Sequence, residues 1–204
     1  MSAGACVMTT GLIDTSTANI ASVRYALERL GAPYVLAETP DKAQDCDRLI
    51  LPGVGAAGAA MKTLNASGWS DRLRHETRPL LGVCLGMQLL YDWSDESECA
   101  LLGLIPGRVE RLDPGDAGPW PHMGWNALEG LCADEPLLAG VAAGERVYFV
   151  HGFYIAPGDH AVATTRYGEA ITAIARRGDV AGCQFHPERS AGVGAQILSN
   201  FLKG

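Results

Sequence analysis

The stretch Leu80-Leu81-Gly82-Val83-Cys84-Leu85-Gly86-Met87-Gln88-Leu89-Leu90-Tyr91 runs two patterns together with no loop between them. Residues 80–83 form a short apolar run of strand type, and residues 87–91 read as helix. A cysteine at that junction occupies a tight strand-to-helix turn, and the small flanking Gly82 and Gly86 relieve the crowding there. The sulfur is aimed at a helix N-terminus, where unpaired N–H groups and the helix dipole favour a thiolate. The backbone N–H of Leu85 is then placed to donate to an oxyanion. By itself the segment fits a buried, inert cysteine equally well, since that is what most free cysteines are.

Outward from this junction, strand-type runs alternate with helical patterns. Residues 6–13, 34–37 and 48–51 read as strands. Ile20, Val23, Leu27 and Leu30 fall on one helical face, closed by Gly31 as a C-cap. A glycine-rich loop at 53–58 precedes a helix around 59–64. The alternation predicts an α/β fold with a mostly parallel central sheet and helices on both faces. The second half changes character. Residues 108–112, 125–128, 147–151, 161–166, 170–176 and 180–185 are β-type runs with short Gly-, Pro- and Asp-containing connections, which predicts additional antiparallel strands. A closing helix is expected over 194–202.

The chain has 204 residues, a length that predicts a single domain over 1–204 able to bury its core without staples. A formal net charge of −7 argues against nucleic acid or an anionic membrane surface as partner. No apolar run approaches the ~18–20 residues that cross a bilayer, and the first residues lack the pattern of a secretion signal. Six cysteines are scattered without a Cys-x-x-Cys pair, which reads as neither disulfide framework nor zinc site. Reduced thiols in the cytoplasm fit best.

A cysteine nucleophile working on an amide needs a base that later protonates the leaving amine. Of five histidines, His186 is the best candidate, because it follows the apolar run 181–185 and Pro187 turns the chain sharply. Glu188, two residues on, can return its carboxylate to the imidazole. Alone, His-Pro-Glu also describes a strand-end histidine beside a solvated acid. Together with the cysteine turn, two halves of one mechanism stand at two strand ends.

Gly82-Val83-Cys84-Leu85-Gly86-Met87-Gln88, taken with Gln184-Phe185-His186-Pro187-Glu188-Arg189-Ser190, resembles the class I (triad) glutamine amidotransferases, a flavodoxin-like fold. The finer resemblance is to the glutaminase subunits of imidazole glycerol phosphate synthase. It is carried by Leu51-Pro52-Gly53-Val54-Gly55, by Pro121-His122-Met123-Gly124-Trp125-Asn126 and by Tyr148-Phe149-Val150-His151, and it spans essentially the whole chain. Three departures stand out. Asp14-Thr15-Ser16-Thr17-Ala18-Asn19 lacks the family's usual glycine before the Asn, Gly152-Phe153 stand where Ser or Thr and then Tyr are usual, and Arg189 replaces a Lys.

The resemblance implies Cys84 as nucleophile, His186 as base and Glu188 as its orienter. It implies an oxyanion hole from backbone N–H groups of Leu85 and of Gly53 or Val54. Gly53 permits the peptide rotation that would present such a donor on demand, whereas Val54 resists a left-handed conformation, so a weak basal rate is expected. Gln88, Glu96, Gly152 and Phe153 would hold glutamine. Trp125, Asn126, Tyr148, Arg189 and Asn19 would face a (β/α)8-barrel cyclase subunit that receives ammonia in a heterodimer. No cofactor and no metal are implied. Other readings stay open at this stage: an amidotransferase of another pathway or a free-standing triad hydrolase, a catalytically silent subunit on the same fold, and a thiol stress sensor.

Overall fold

The computed structural model describes residues 8–15 and 20–204. Its first half runs β1 (Thr10–Ile13), α1 (Ile20–Arg29), β2 (Tyr34–Ala37), β3 (Arg48–Gly53), α2 (Ala57–Ala66), α3 (Trp69–Arg74), β4 (Leu80–Cys84) and α4 (Leu85–Gln88). The second half runs β5 (Trp93–Ser94), β6 (Cys99–Ala100), β7 (Arg108–Arg111), β8 (His122–Ala127), β9 (Arg146–His151), β10 (Phe153–Tyr154), β11 (Ala161–Tyr167), β12 (Glu169–Arg177), β13 (Val180–Cys183) and α5 (Ala191–Lys203).

The main sheet has the order β11-β12-β13-β4-β3-β1-β2. From β2 through β13 its strands are parallel, and β12 and β11 extend it antiparallel. The α/β expectation holds, with one refinement. Of the β-type runs in the second half, those at 161–183 join this sheet. The run at 108–112 supplies β7 of a four-stranded sheet β10-β7-β5-β6, whose three other short strands lie outside the runs read from the sequence. Those at 125–128 and 147–151 form a two-stranded ribbon of β8 and β9. Period-2 patterning sets which side chains share a face of a strand but leaves its partner open.

Alternation along the parallel strands divides the core into two layers. Ile13, Leu49, Leu51 and Leu80 face Met61 and Leu64 of α2, Trp69 and Leu73 of α3, and Met87 of α4. Leu12, Ile50, Leu81 and Val83 face Val23 and Leu27 of α1, Ile197, Leu198 and Phe201 of α5, and Val147 and Phe149 of β9. Helix α1 ends as its sequence indicated. Gly31 has φ +65°, with Gly31 N–H bonded to Glu28 O and Ala32 N–H to Leu27 O, both at 3.0 Å. That is the paired C-terminal bonding pattern only a left-handed residue allows.

Register then fixes where chemistry can occur. Gly53 at the end of β3 lies opposite Cys84 at the end of β4, and Cys183 at the end of β13 lies opposite Val83. Three parallel strands thus finish together, and the crevice beyond their carboxyl ends is where sheets of this kind bind ligands.

Candidate active site

Cys84 closes β4 and caps α4 with φ 55° and ψ −112°, a conformation that non-glycine residues rarely hold and that marks functional turns. The glycines around it are required by contact. A Cβ on Gly86 would lie 1.8 Å from Leu51 O, and one on Gly82 would lie 2.6 Å from Gly86 O. A Cβ on Gly53 would lie 2.8 Å from Gly86 N. Helix α4 can therefore begin directly against the backbone of β3 because three side chains are missing. The sulfur lies 3.7 Å from Val150 O of β9.

His186 follows β13, and the short turn Pro187–Arg189 folds Glu188 back beneath it. Its Nδ1 is 2.8 Å from Glu188 Oε1, which leaves Nε2 as the ring nitrogen available to Cys84 in the cavity that both residues line. Burial works to lower the imidazole pKa. The hydrogen bonds to Cys84 and Glu188, with the charges those groups carry, overcome it and raise the value to about 10. Strand β9 anchors the ring's backbone from both sides. His186 N–H donates to Tyr148 O at 2.9 Å, Tyr148 N–H to Ser190 Oγ at 2.9 Å, and Ser190 Oγ–H to His186 O at 2.7 Å.

A cavity of about 180 Å³ opens over these groups, lined by Val54, Gly55, Cys84, Leu85, Gln88, Glu96, Val150, His151, Gly152, Phe153 and His186. The proposed glutamine-binding positions therefore converge with Cys84 and His186. Gly53 lies just behind, and Glu188 behind the histidine. Gln88 is buried, its Nε2 donating to Phe153 O at 2.9 Å and to Gln184 Oε1 at 3.0 Å. Glu96 is no solvated loop acid, since its Oε2 accepts from Ala57 N–H at 2.8 Å and so caps α2. Neither Gly53 nor Val54 has a positive φ, whereas Gly55 has φ +88°.

At Gly152 the chain leaves the β8–β9 ribbon and passes to β10. A Cβ there would lie 2.4 Å from Trp120 Cζ2, and Trp120 Nε1–H donates to Gly152 O at 2.9 Å. The departure from the usual Ser or Thr thus has a local cause, the indole occupying the side-chain space.

Of the expected partner-facing residues, Trp125 is 46% exposed and meets Tyr148 edge-on at 6.0 Å. Met123 on the same strand is 62% exposed, and Arg189 is exposed. Asn126 is engaged internally, donating to Arg166 O at 2.9 Å and accepting from Ala127 N–H at 2.8 Å. Asn19 and Cys6 lie outside the described residues. Cys183 is fully buried in β13, and Cys46, Cys84, Cys99, Cys132 and Cys183 are all free thiols. Among the described residues no helix is long and apolar enough to cross a membrane.

Sequence reasoning missed Val150, His151, Gln184 and Ser190 as parts of this centre. His151 had a signal, a histidine ending a strand within a quoted motif. The others act through backbone or buried amide and hydroxyl groups that leave no pattern.

A nucleophile elbow facing a carboxylate-oriented histidine across parallel strand ends defines a cysteine-dependent amide-processing domain. The family model of the class-I glutamine amidotransferases matches residues 12–204, and the chain belongs to that family. Within it, the chain groups with imidazole glycerol phosphate synthase subunit HisH. It is 49% identical over 192 residues to that subunit of Xylella fastidiosa, covering 94% of this chain and 96% of the relative. It is 46% identical over 202 residues to that of Shewanella loihica, covering 94% and 89%. The solved structure of PurLQS from Thermotoga maritima aligns with a TM-score of 0.71 at 22% identity, over 96% of this chain and 98% of that one, a likeness of fold.

Proposed function

We propose that this chain, as one catalytic domain in the cytoplasm, hydrolyses glutamine to glutamate and ammonia, and delivers the ammonia to a cyclase subunit with a (β/α)8 barrel in a heterodimer. That partner would use it to make imidazole glycerol phosphate, with release of the aminoimidazole carboxamide ribotide, in histidine biosynthesis. The observation that carries the reading is the position of His186, held by Glu188 on one side and lining, together with Cys84, a cavity sized for a small amino acid.

In this reading the Cys84 thiolate attacks the side-chain carboxamide carbon. The oxyanion forms next to the N–H of Leu85, at the start of α4, and a second donor comes from the backbone of Gly53 or Val54. The His186 imidazolium gives its Nε2 proton to the departing nitrogen, ammonia leaves, and a glutamyl thioester remains. The neutral imidazole then takes a proton from water, which attacks the thioester and releases glutamate and the thiol. Glu188 holds the ring in the orientation and tautomer both steps need. Glu96, with one oxygen on Ala57, suits the substrate ammonium. The wall at Gly152 and Phe153, backed by Gln88, suits its carboxylate.

The cyclase would dock on the β8–β9 ribbon, where Met123 and Trp125 are exposed beside Tyr148 and Arg189. Asn126 would support that strand from within, and Asn19 would approach the same face. The test is to mix the purified chain with a cyclase subunit and follow glutamate release, with and without the cyclase's nucleotide-derived substrate. Release that depends on the cyclase and rises with its substrate is expected. A diazo-ketone analogue of glutamine should label Cys84 alone. Glutamine left intact by the assembled pair, or peroxide-sensitive thiol chemistry without glutamine turnover, would overturn the reading.

A further inference from the structure

Two buried histidines outside the triad, His122 of β8 and His151 of β9, are joined in a hydrogen-bonded line whose direction is fixed at one end. His151 Nδ1 lies 2.9 Å from Phe153 O. A carbonyl can only accept, so Nδ1 carries the proton, and in the neutral ring Nε2 is an acceptor. His122 Nδ1 lies 2.9 Å from that Nε2 and must therefore donate to it. His122 Nε2 is then left as an acceptor, and Asn126 Nδ2 stands 3.3 Å away to supply a proton. The Asn126 amide is itself oriented by Arg166 O and Ala127 N–H, so both ends of the line agree. Adding a proton to His151 would set two N–H groups against each other. Burial also disfavours charge on both rings, lowering His122 to about 4 and His151 to about 3. His122 is further held between the rings of Phe149 and Tyr167, stacked at 4.9 and 4.2 Å.

The line ends on the wall of the cavity. Strand β9 pairs with β8, whereas β10 pairs with β7, so the chain changes sheets at Gly152. Each carbonyl there has two protein donors. Gly152 O accepts from Leu112 N–H at 3.0 Å and from Trp120 Nε1–H at 2.9 Å. Phe153 O accepts from His151 Nδ1–H and from Gln88 Nε2–H, both at 2.9 Å. A carbonyl whose two lone pairs face N–H donors repels a carboxylate laid against that wall less than a free one does, because the donor dipoles offset its partial negative charge.

From this geometry we infer that His151 and His122 are positioning residues for glutamine binding, holding the Phe153 carbonyl away from the substrate carboxylate through a fixed tautomeric chain. The inference rests on the glutaminase reading above. Without its His122 donor, His151 is left with an unpaired buried Nε2, and the ring can turn to find another partner and so draw Nδ1–H away from Phe153 O. Neither ring touches the reacting atoms, so the effect falls on binding rather than on the chemical step.

The experiment uses the assembled enzyme with its cyclase subunit and compares His151→Leu, His151→Asn and His122→Leu. Asn keeps a donor at the Nδ1 position, and Leu does not. His151→Leu and His122→Leu should raise KM for glutamine about tenfold, the order of one hydrogen bond lost at a buried carbonyl, with kcat within about threefold. His151→Asn should return KM to near the wild-type value. Iodoacetamide, which has no α-carboxylate, should alkylate Cys84 at the wild-type rate in every folded variant. An unchanged KM in folded His151→Leu, or equal losses in the Leu and Asn variants, sinks this inference while active wild type leaves the glutaminase reading standing. Should His151→Leu not fold, His151→Asn with normal KM beside His122→Leu with raised KM decides for it, and any other pattern decides against. Wild-type enzyme inert toward glutamine sinks both.

Discussion

Glu188 Oε1 lies 2.8 Å from His186 Nδ1, and the Pro187–Arg189 turn gives that carboxylate no other histidine to serve. The contact selects the tautomer with its second nitrogen toward Cys84. Glu188→Gln keeps the shape of the side chain but can present its N–H to the ring. We expect kcat for glutamine hydrolysis to fall on the order of 10³-fold with little change in KM, measured as glutamate release by the assembled enzyme. A loss below tenfold would mean the carboxylate has no orienting part in the reaction.

The same histidine makes a pH prediction. Its pKa in the folded chain is raised to about 10 by Cys84 and Glu188 against the opposing effect of burial, while the unfolded value is near 6.5. Between those values the folded protein holds a proton that the unfolded chain has released. The stabilisation is fully present below about pH 6.5 and is lost as pH rises toward about 10. Relative to His186→Gln, which lacks this titration, the wild-type unfolding free energy should fall across that window. Parallel curves for the two proteins would contradict the assignment.

Gly86→Ala tests the turn itself. The new Cβ would meet Leu51 O at 1.8 Å, and that oxygen belongs to a central strand that cannot give way. Destabilisation of at least about 2 kcal/mol in urea unfolding is expected. A neutral substitution would show that α4 does not start where it is described.

Gly152→Ser restores the residue type usual in the family but collides with Trp120, 2.4 Å from the new Cβ. The cost should shrink when Trp120 is also replaced by Ala. Unfolding free energies of the two single variants and the double variant should give a coupling of at least about 0.5 kcal/mol. Additive effects would separate the two positions.

Trp125→Ala should leave stability within about 0.5 kcal/mol, because the indole is 46% exposed. Affinity for the proposed cyclase partner should drop at least about tenfold by titration calorimetry, since exposed aromatic anchors dominate such interfaces. Undiminished affinity would move the docking surface off the β8–β9 ribbon.

Much of this was legible in the chain. Leu80 through Gln88 set a strand and a helix end to end at Cys84, because glycines flank the junction, although the helix spans Leu85–Gln88 and not the apolar run 87–91 that reads as helical. The period-2 and period-3.6 patterns of the first half gave the parallel sheet, and Gly31 ended α1 where a left-handed residue was needed. His-Pro-Glu announced a turn that returns a carboxylate to an imidazole, since proline stops the strand and only two residues separate the groups. These are local consequences of steric and hydrogen-bonding rules, so residue order suffices to state them.

Only the tertiary structure decided what those pieces meet. Cys84 and His186 lie about a hundred residues apart in sequence, and it is the pairing of β13 with β4 that brings them into contact. The same is true of Glu96 on the start of α2, Trp120 in the space over Gly152, and the line from Asn126 through two histidines to Phe153 O. Each of these contacts depends on strand register and on which sheet a short strand joins. Those are set by global packing, for which alternation of side chains supplies the faces but not the neighbours.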